Sequence, residues 1–305
     1  MKGRFAIPEL PEVETVRREL APWLTGATIT QAVRVNAPAG PKYANLELAA
    51  NTFIQAVNRR GKFLLLPLDT LDAAAAVQSS EQLELVIHLG MTGTVLRAED
   101  NPNYAMKHVR TRLELTTNKA QPSTLLFDDT RRFGRFLVVP AGDYRTLPTL
   151  HQMGLEPFDP NLTDKYFKDM LAKSTTAVKT YLLSQKPIAG VGNIYADEAL
   201  WHARIHPETP SAWVSSAKAR KLLAALREVL AKSIEVQGTT LRDYRTVNGE
   251  VGQFGNYLNV YGKAEEPCPR CGKLLTRRVI GGRSSHFCAS CQQRRRKPPS
   301  SVKEA

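Results

Sequence analysis

The stretch LELVIHL-GMTG-TVLRA, Leu83–Leu89, Gly90–Gly93 and Thr94–Ala98, decides how the first half of the chain folds. An apolar run, a turn holding two glycines and a second apolar run read as two strands joined by a tight connection. Working outward, Ala27–Val35, Thr52–Arg59 and Lys62–Leu68 precede it as strands, with Gly61 marking a break. Val109–Leu115, which alternates apolar and polar residues, Thr124–Asp128 and Phe136–Pro140 follow it. Leu71–Gln82 (LDAAAAVQSSEQ) interrupts the series as a short alanine-rich helix or a surface loop. Short strands with tight turns between them predict an antiparallel sandwich or barrel-like first domain.

From about Leu147 the apolar period turns helical. Lys165–Lys173, Ala177–Gln185, Ile194–Ala203 and Ser215–Gln237 are expected helices joined by Gly/Pro-rich turns. All four cysteines lie between positions 268 and 291, as two Cys-x-x-Cys pairs separated by sixteen residues. That is metal-ligand spacing, not a disulfide framework. Soft thiolates in two short steps suit a closed tetrahedral zinc site held by Cys268, Cys271, Cys288 and Cys291, structural in role. Arg277–Ser284 between the pairs is a basic hairpin with a Gly-Gly-Arg tip, either a solvated turn or a phosphate-gripping finger. Arg294–Ala305 reads as a disordered basic tail.

The chain has 305 residues and a formal charge of +13. Its length suits more than one domain, and its charge suits an anionic partner. No run of eighteen apolar residues predicts a membrane span, and the first seven residues are too short for a secretory signal.

Ile7-Pro8-Glu9-Leu10-Pro11-Glu12-Val13-Glu14 opens a helix expected over Val13–Leu20 and ended by Pro22 and Gly26. Pro11 suits a first helical turn, and Glu12 and Glu14 suit its positive end. For Pro11 and Glu14 a well-made helix start is a sufficient reading. Pro8 differs: inside a chain it is an inert tertiary amide, whereas at a free N-terminus it is a secondary amine able to form an iminium.

Further motifs bear on chemistry. Gly190-Val191-Gly192-Asn193 before a helix leaves backbone N–H groups for a phosphate, or forms a plain turn. Thr130-Arg131-Arg132-Phe133-Gly134 and the Met91 turn offer side chains that enter a base stack, or ordinary core and surface residues. Lys62, at the lip of an apolar strand, is a snorkelling cation or a proton-transfer group. His88 reads as a satisfied core histidine.

Taken in order, PELPEVETVRREL, RRGKFLLL, IHLGMTG, RRFG, GVGNIYADEALW, LNVYG and the cysteine pairs ending in GRSSHFC resemble bacterial formamidopyrimidine-DNA glycosylase, over Pro8 to about Cys291. The resemblance implies an α+β multidomain fold. Residues 8–144 would form an N-terminal antiparallel β-sandwich with flanking helices, and residues 145–262 a helix–two-turn–helix domain. Residues 263–293 would form a zinc-finger β-hairpin, with 1–7 an extension and 294–305 a tail. It implies a glycosylase and AP lyase acting on oxidised purines in double-stranded DNA or on abasic sites. One structural zinc, a monomer, no membrane association and a cytoplasmic location go with it. Pro8 maps onto the residue that attacks C1′, Glu9 onto its proton-handling neighbour and Lys62 onto the β-elimination lysine. Arg283 maps onto the phosphate contact implicated in δ-elimination. Met91, Arg131 and Phe133 match the gap-filling side chains and Asn193 a phosphate contact; a loop around residues 246–256 would cap the damaged base.

Departures are local. The first histidine of a Lys-His-x-His-Val pattern is replaced, leaving His108. Ser174 stands at a phosphate-contacting lysine, with Lys173 beside it, and Thr130 where proline is common. Leu10 fits this branch rather than endonuclease VIII, in which oxidised pyrimidines are the substrates. With residues 1–7 retained, the expectation is a binding-only protein. An RNA-binding zinc protein accounts for the charge and cysteines but not for the PELPEVE start. Ile7 occupies the initiator position, so translation from codon 7, or cleavage after Ile7, is expected to free Pro8.

Overall fold

The computed structural model describes residues 8–70, 82–240 and 247–294. The expectations for residues 1–7, for most of Leu71–Gln82 and for the tail beyond Arg294 lie outside them. Two compact units are present: Met1–His151 with Gln237–Gly252, and Gln152–Val236 with Gln253–Ala305.

In the first unit, helix α1 spans Leu10–Leu24. Leu10, Val13, Val16, Leu20 and Leu24 fall on one face at helical spacing and are each no more than 3% exposed. The helix starts earlier than its periodicity suggests, because the Glu9 N–H donates to Glu12 Oε2 at 2.8 Å and caps the first turn. It also runs through Pro22. That proline is exposed in the last turn and forfeits one hydrogen bond, while the next turn buries Leu24 completely.

Nine strands follow among the described residues: β1 Thr28–Arg34, β2 Thr52–Ile54, β3 Asn58–Arg60, β4 Phe63–Thr70, β5 Leu83–His88, β6 Gly93–Arg97, β7 Val109–Thr116, β8 Pro122–Asp129 and β9 Arg135–Pro140. All pairings are antiparallel, in the order β6-β8-β7-β1-β2-β4-β5-β9, with β3 also on β4. The expected single strand Thr52–Arg59 is two. β2 pairs with the end of β4 and β3 with its start, so the chain between them leaves the ladder. Leu113, Leu115, Leu125 and Phe127 from one half of the sheet share a core with Leu64, Leu85, Ile87, Phe136 and Val138 from the other. The sheet therefore folds over on itself as a sandwich, with α1 packed into the same core. A short helix, α2, occupies Pro148–His151.

The second unit holds helices α3 Asp164–Ala172, α4 Val178–Leu183, α5 Asn193–His202 and α6 Ser216–Glu235, then strands β10 Thr276–Ile280 and β11 Arg283–Phe287. Thr163 caps α3 through its hydroxyl. Helix α5 is apolar enough to be buried from Ile194 to Trp201 and packs on α6, where the Tyr195 and Ser233 hydroxyls meet at 2.5 Å. Among the described residues no helix is long and apolar enough to cross a membrane.

Candidate active site and nucleic-acid interface

Pro8 and Glu9 form the entry to α1, and both are buried. Glu12, one turn on, holds that entry with Oε2 on the Glu9 N–H. Its Oε1 accepts the Thr239 N–H at 2.6 Å. Gly238 fits only because it lacks a side chain: a Cβ there would lie 2.8 Å from Glu12 Oε1, at φ +85°. Farther along α1, Glu19 Oε2 accepts the Val247 N–H at 2.5 Å. Helix α1 thus anchors Thr239 and Val247, a connection no local pattern announces.

Glu14 is more than a helix-start residue. Its carboxylate accepts from Arg17 Nε and Nη2, Arg18 Nε and Arg59 Nε, all at 2.9–3.0 Å. Burial raises its carboxyl pKa, but the hydrogen bonds from Arg17, Arg59 and Arg18 outweigh that and hold it at about 2. Lys62 is half-buried at the turn between β3 and β4. His88 pairs with Phe63 across the β4–β5 ladder, their tilted rings 4.5 Å apart, and accepts the Gly90 N–H on Nδ1. Desolvation, then the Lys62 and Arg135 charges, push the His88 pKa down to about 3, so the ring is a neutral acceptor.

The β5–β6 turn with Met91 and the β8–β9 turn with Arg131 and Phe133 are brought together. A Cβ on Gly90 would lie 2.5 Å from the Gly134 nitrogen. Asp129 joins the two turns, accepting from Thr92 Oγ1 at 2.6 Å and from the Gly134 N–H at 2.7 Å, while Thr92 Oγ1 accepts the Arg131 N–H. Arg110 buttresses the same turn by donating to the Asp129 carbonyl. Phe133 is 49% exposed, with the Arg131 guanidinium 5.0 Å from its ring centre. An apolar ring held outside the core on a braced turn is available to insert between bases. His108 lies half-buried before β7, close enough to Asp128 to lower that carboxyl's pKa against burial, which raises it overall.

In the second unit, Gln185 shapes the glycine turn, accepting the Gly190 N–H and donating to the Val191 carbonyl. Asn193 begins α5, its Nδ2 3.4 Å from the Tyr261 hydroxyl. Lys173 is exposed just after α3, and Ser174 Oγ pairs with Thr176 Oγ1.

The hairpin β10–β11 turns at Gly281 and Gly282, both with positive φ, as a two-residue turn demands. Arg283 is exposed beside the tip. The tip rests on α4: a Cβ on Gly281 would meet Thr180 Oγ1 at 2.5 Å. Beneath it lies an ion pair the sequence did not single out. Lys179 Nζ is 2.7 Å from Asp197 Oδ1, with both side chains at most 1% exposed. Lys179 also donates to the Ser284 carbonyl and Ser285 Oγ, each at 2.8 Å, and Asp197 Oδ2 accepts the His286 N–H.

The four cysteine sulfurs lie within 4.8 Å of one another. Tetrahedral zinc, with bonds of about 2.3 Å, places sulfurs about 3.8 Å apart, so the cluster fits one ion with no open position. The Trp201 indole donates to Cys268 Sγ, and Arg270 stacks on Trp201 at 3.9 Å.

Comparison with known proteins finds matches in three successive stretches of the chain. The formamidopyrimidine-DNA glycosylase N-terminal domain matches residues 7–136, its H2TH domain residues 153–245, and the zinc finger found in FPG and IleRS residues 265–294. A formamidopyrimidine-DNA glycosylase of Deinococcus radiodurans is 43% identical over 290 residues, covering 94% of this chain and 97% of that protein. One from Bacillus subtilis is 39% identical over 295 residues, covering 95% and 100%. The crystal structure of the Fpg protein from Thermus thermophilus superposes with a TM-score of 0.81 at 43% identity, covering 94% and 99%. Lactococcus lactis Fpg, solved with DNA containing an abasic site, gives 0.78 at 33% identity, covering 94% and 100%.

Proposed function

The chain belongs to the formamidopyrimidine-DNA glycosylase family, and from that premise we propose that it excises oxidised purines, 8-oxoguanine and formamidopyrimidines among them, and then cuts the abasic strand. Membership makes it a DNA glycosylase of base-excision repair. The finer reading rests on individual residues. What supports it most is Pro8-Glu9 at the capped entry of α1, the start of the PELPEVE motif.

In this mechanism the Pro8 nitrogen, as a free secondary amine, attacks C1′. The glycosidic bond breaks, and its electron pair leaves with the base, which takes a proton. Glu9 moves protons at the deoxyribose as the ring opens to the iminium. The iminium acidifies C2′. Lys62 takes that proton, the C–H pair forms an enamine, and the enamine expels the 3′ phosphate with the C3′–O3′ electron pair. A second elimination expels the 5′ phosphate, assisted by Arg283, and water releases the sugar fragment from Pro8. Met91, Arg131 and Phe133 fill the gap left by the extruded nucleotide, offsetting an unstacking cost of a few kcal/mol. Asn193 binds phosphate, with Lys173 and His108 as further contacts, and residues 246–256 cap the base. Zinc, held by the four cysteines, supplies fold to the hairpin and takes no part in bond breaking. The protein acts as a cytoplasmic monomer.

The test uses protein beginning at Pro8 and two duplexes, one with 8-oxoguanine opposite cytosine and one with an oxidised pyrimidine. Faster scission of the first, leaving phosphate on both sides of the gap, is expected. The reverse preference would make the specificity endonuclease VIII-like; binding with no scission would leave a damage-binding protein.

A further inference from the structure

Lysine carries a flexible four-carbon stem, so where Lys62 can reach depends in part on the backbone from which it springs. One guanidinium helps to fix that backbone. Arg59 Nη1 donates at 3.1 Å to the Gly61 carbonyl, which belongs to the peptide bond leading into Lys62. Arg59 Nε meanwhile donates at 3.0 Å to Glu14 Oε2 on α1. Arg17 reinforces the contact from the helix side, binding the same carboxylate through two nitrogens and reaching the Val57 carbonyl at 3.4 Å. Gly61, at φ +55°, makes the turn that this clamp holds. The Arg59 and Glu14 side chains are 13% and 11% exposed, which shields the pair from solvent screening.

We propose that Arg59, seated on Glu14, is a positioning residue that holds the Lys62 backbone in register with helix α1, whose entry is Pro8 and Glu9. The inference rests on the reading of Lys62 as the β-elimination base. A planar fork can satisfy two acceptors in different directions at fixed angles, and a lysine ammonium on the same stem cannot. Loosening the clamp moves the general base without touching the nucleophile. The steps up to the iminium therefore survive, and removal of the C2′ proton slows.

Arg59→Lys, Glu14→Gln and Lys62→Ala are compared with wild type on a duplex carrying a preformed abasic site, all beginning at Pro8. Single-turnover kinetics read two events: borohydride-trapped iminium and the β-elimination product. Arg59→Lys is expected to slow β-elimination about tenfold, a small part of what misplacing a catalytic group can cost, with trapping within about twofold of wild type. Glu14→Gln should do the same more weakly. Lys165→Ala, on α3 and with a side chain 87% exposed, should leave both rates unchanged. Equal loss of trapping and elimination in Arg59→Lys, or loss of neither while Lys62→Ala is impaired, overturns the positioning role. Unimpaired elimination in Lys62→Ala instead overturns the Lys62 assignment beneath it.

Discussion

Lys179→Met should lose about 3–5 kcal/mol of stability in denaturant unfolding, the cost of leaving one member of a buried pair behind. Lys179 and Asp197 are both sealed from water, so the variant leaves a buried carboxylate without its ammonium, beside the His286 ring at 3.4 Å. Met supplies similar volume, which keeps packing loss small beside the electrostatic one. Lys179→Met/Asp197→Asn should recover much of the loss, because the asparagine carries no charge and its oxygen can still accept the His286 N–H. The same variant tests the hairpin. Lys179 donates to Ser284 and Ser285, the two residues after Arg283, so its loss should also lower the ratio of δ- to β-elimination product. A single variant within about 0.5 kcal/mol of wild type, the range of ordinary surface changes, would contradict this view of the pair.

Removing zinc should have a comparable effect, confined to DNA engagement. Beyond its strand pairs, the hairpin rests on Lys179 and on the cysteine cluster, where Trp201, Val260, Cys268, Leu275 and Cys288 form a core too small to fold on its own. Metal binding in such modules supplies on the order of 10 kcal/mol of folding free energy. Chelated protein, or Cys288→Ala, should release one zinc per chain by elemental analysis and lose damaged-duplex affinity in anisotropy titrations. The sandwich should keep its cooperative melting transition. Full affinity in metal-free protein would show that the hairpin does not grip DNA.

How much of this was legible depends on whether the determining contacts are local. The strands β4, β5 and β9 and the helices α3 to α6 follow from apolar period, and the zinc site from ligand spacing, because each signal lies within a few residues. Glu14 was not legible. As a residue in an opening helix it satisfies a local rule, and only the fold brings Arg59, forty-five positions away, onto its carboxylate. Lys179 and Asp197 were equally hidden. A lysine in Val178-Lys179-Thr180-Tyr181-Leu182, and two acids in Tyr195–Trp201, an otherwise apolar helix, hint at buried charge, but nothing local pairs them. The break between β2 and β3 and the anchoring of Thr239 and Val247 on α1 are likewise set by partners distant in sequence. Motif resemblance singled out Pro8, Glu9, Lys62 and Arg283 as candidates where propensity could not, while Glu12, Glu14 and Arg59 beside them emerged only from the fold.

The reading turns on whether the Pro8 nitrogen is an amine. Protein whose intact mass shows a chain beginning at Pro8 is mixed with a duplex carrying 8-oxoguanine opposite cytosine, and borohydride is added. A covalent protein–DNA adduct on that chain, absent from a matched chain retaining Met1–Ile7, is the predicted result. No adduct from the chain beginning at Pro8, or equal adducts from both, would contradict the account.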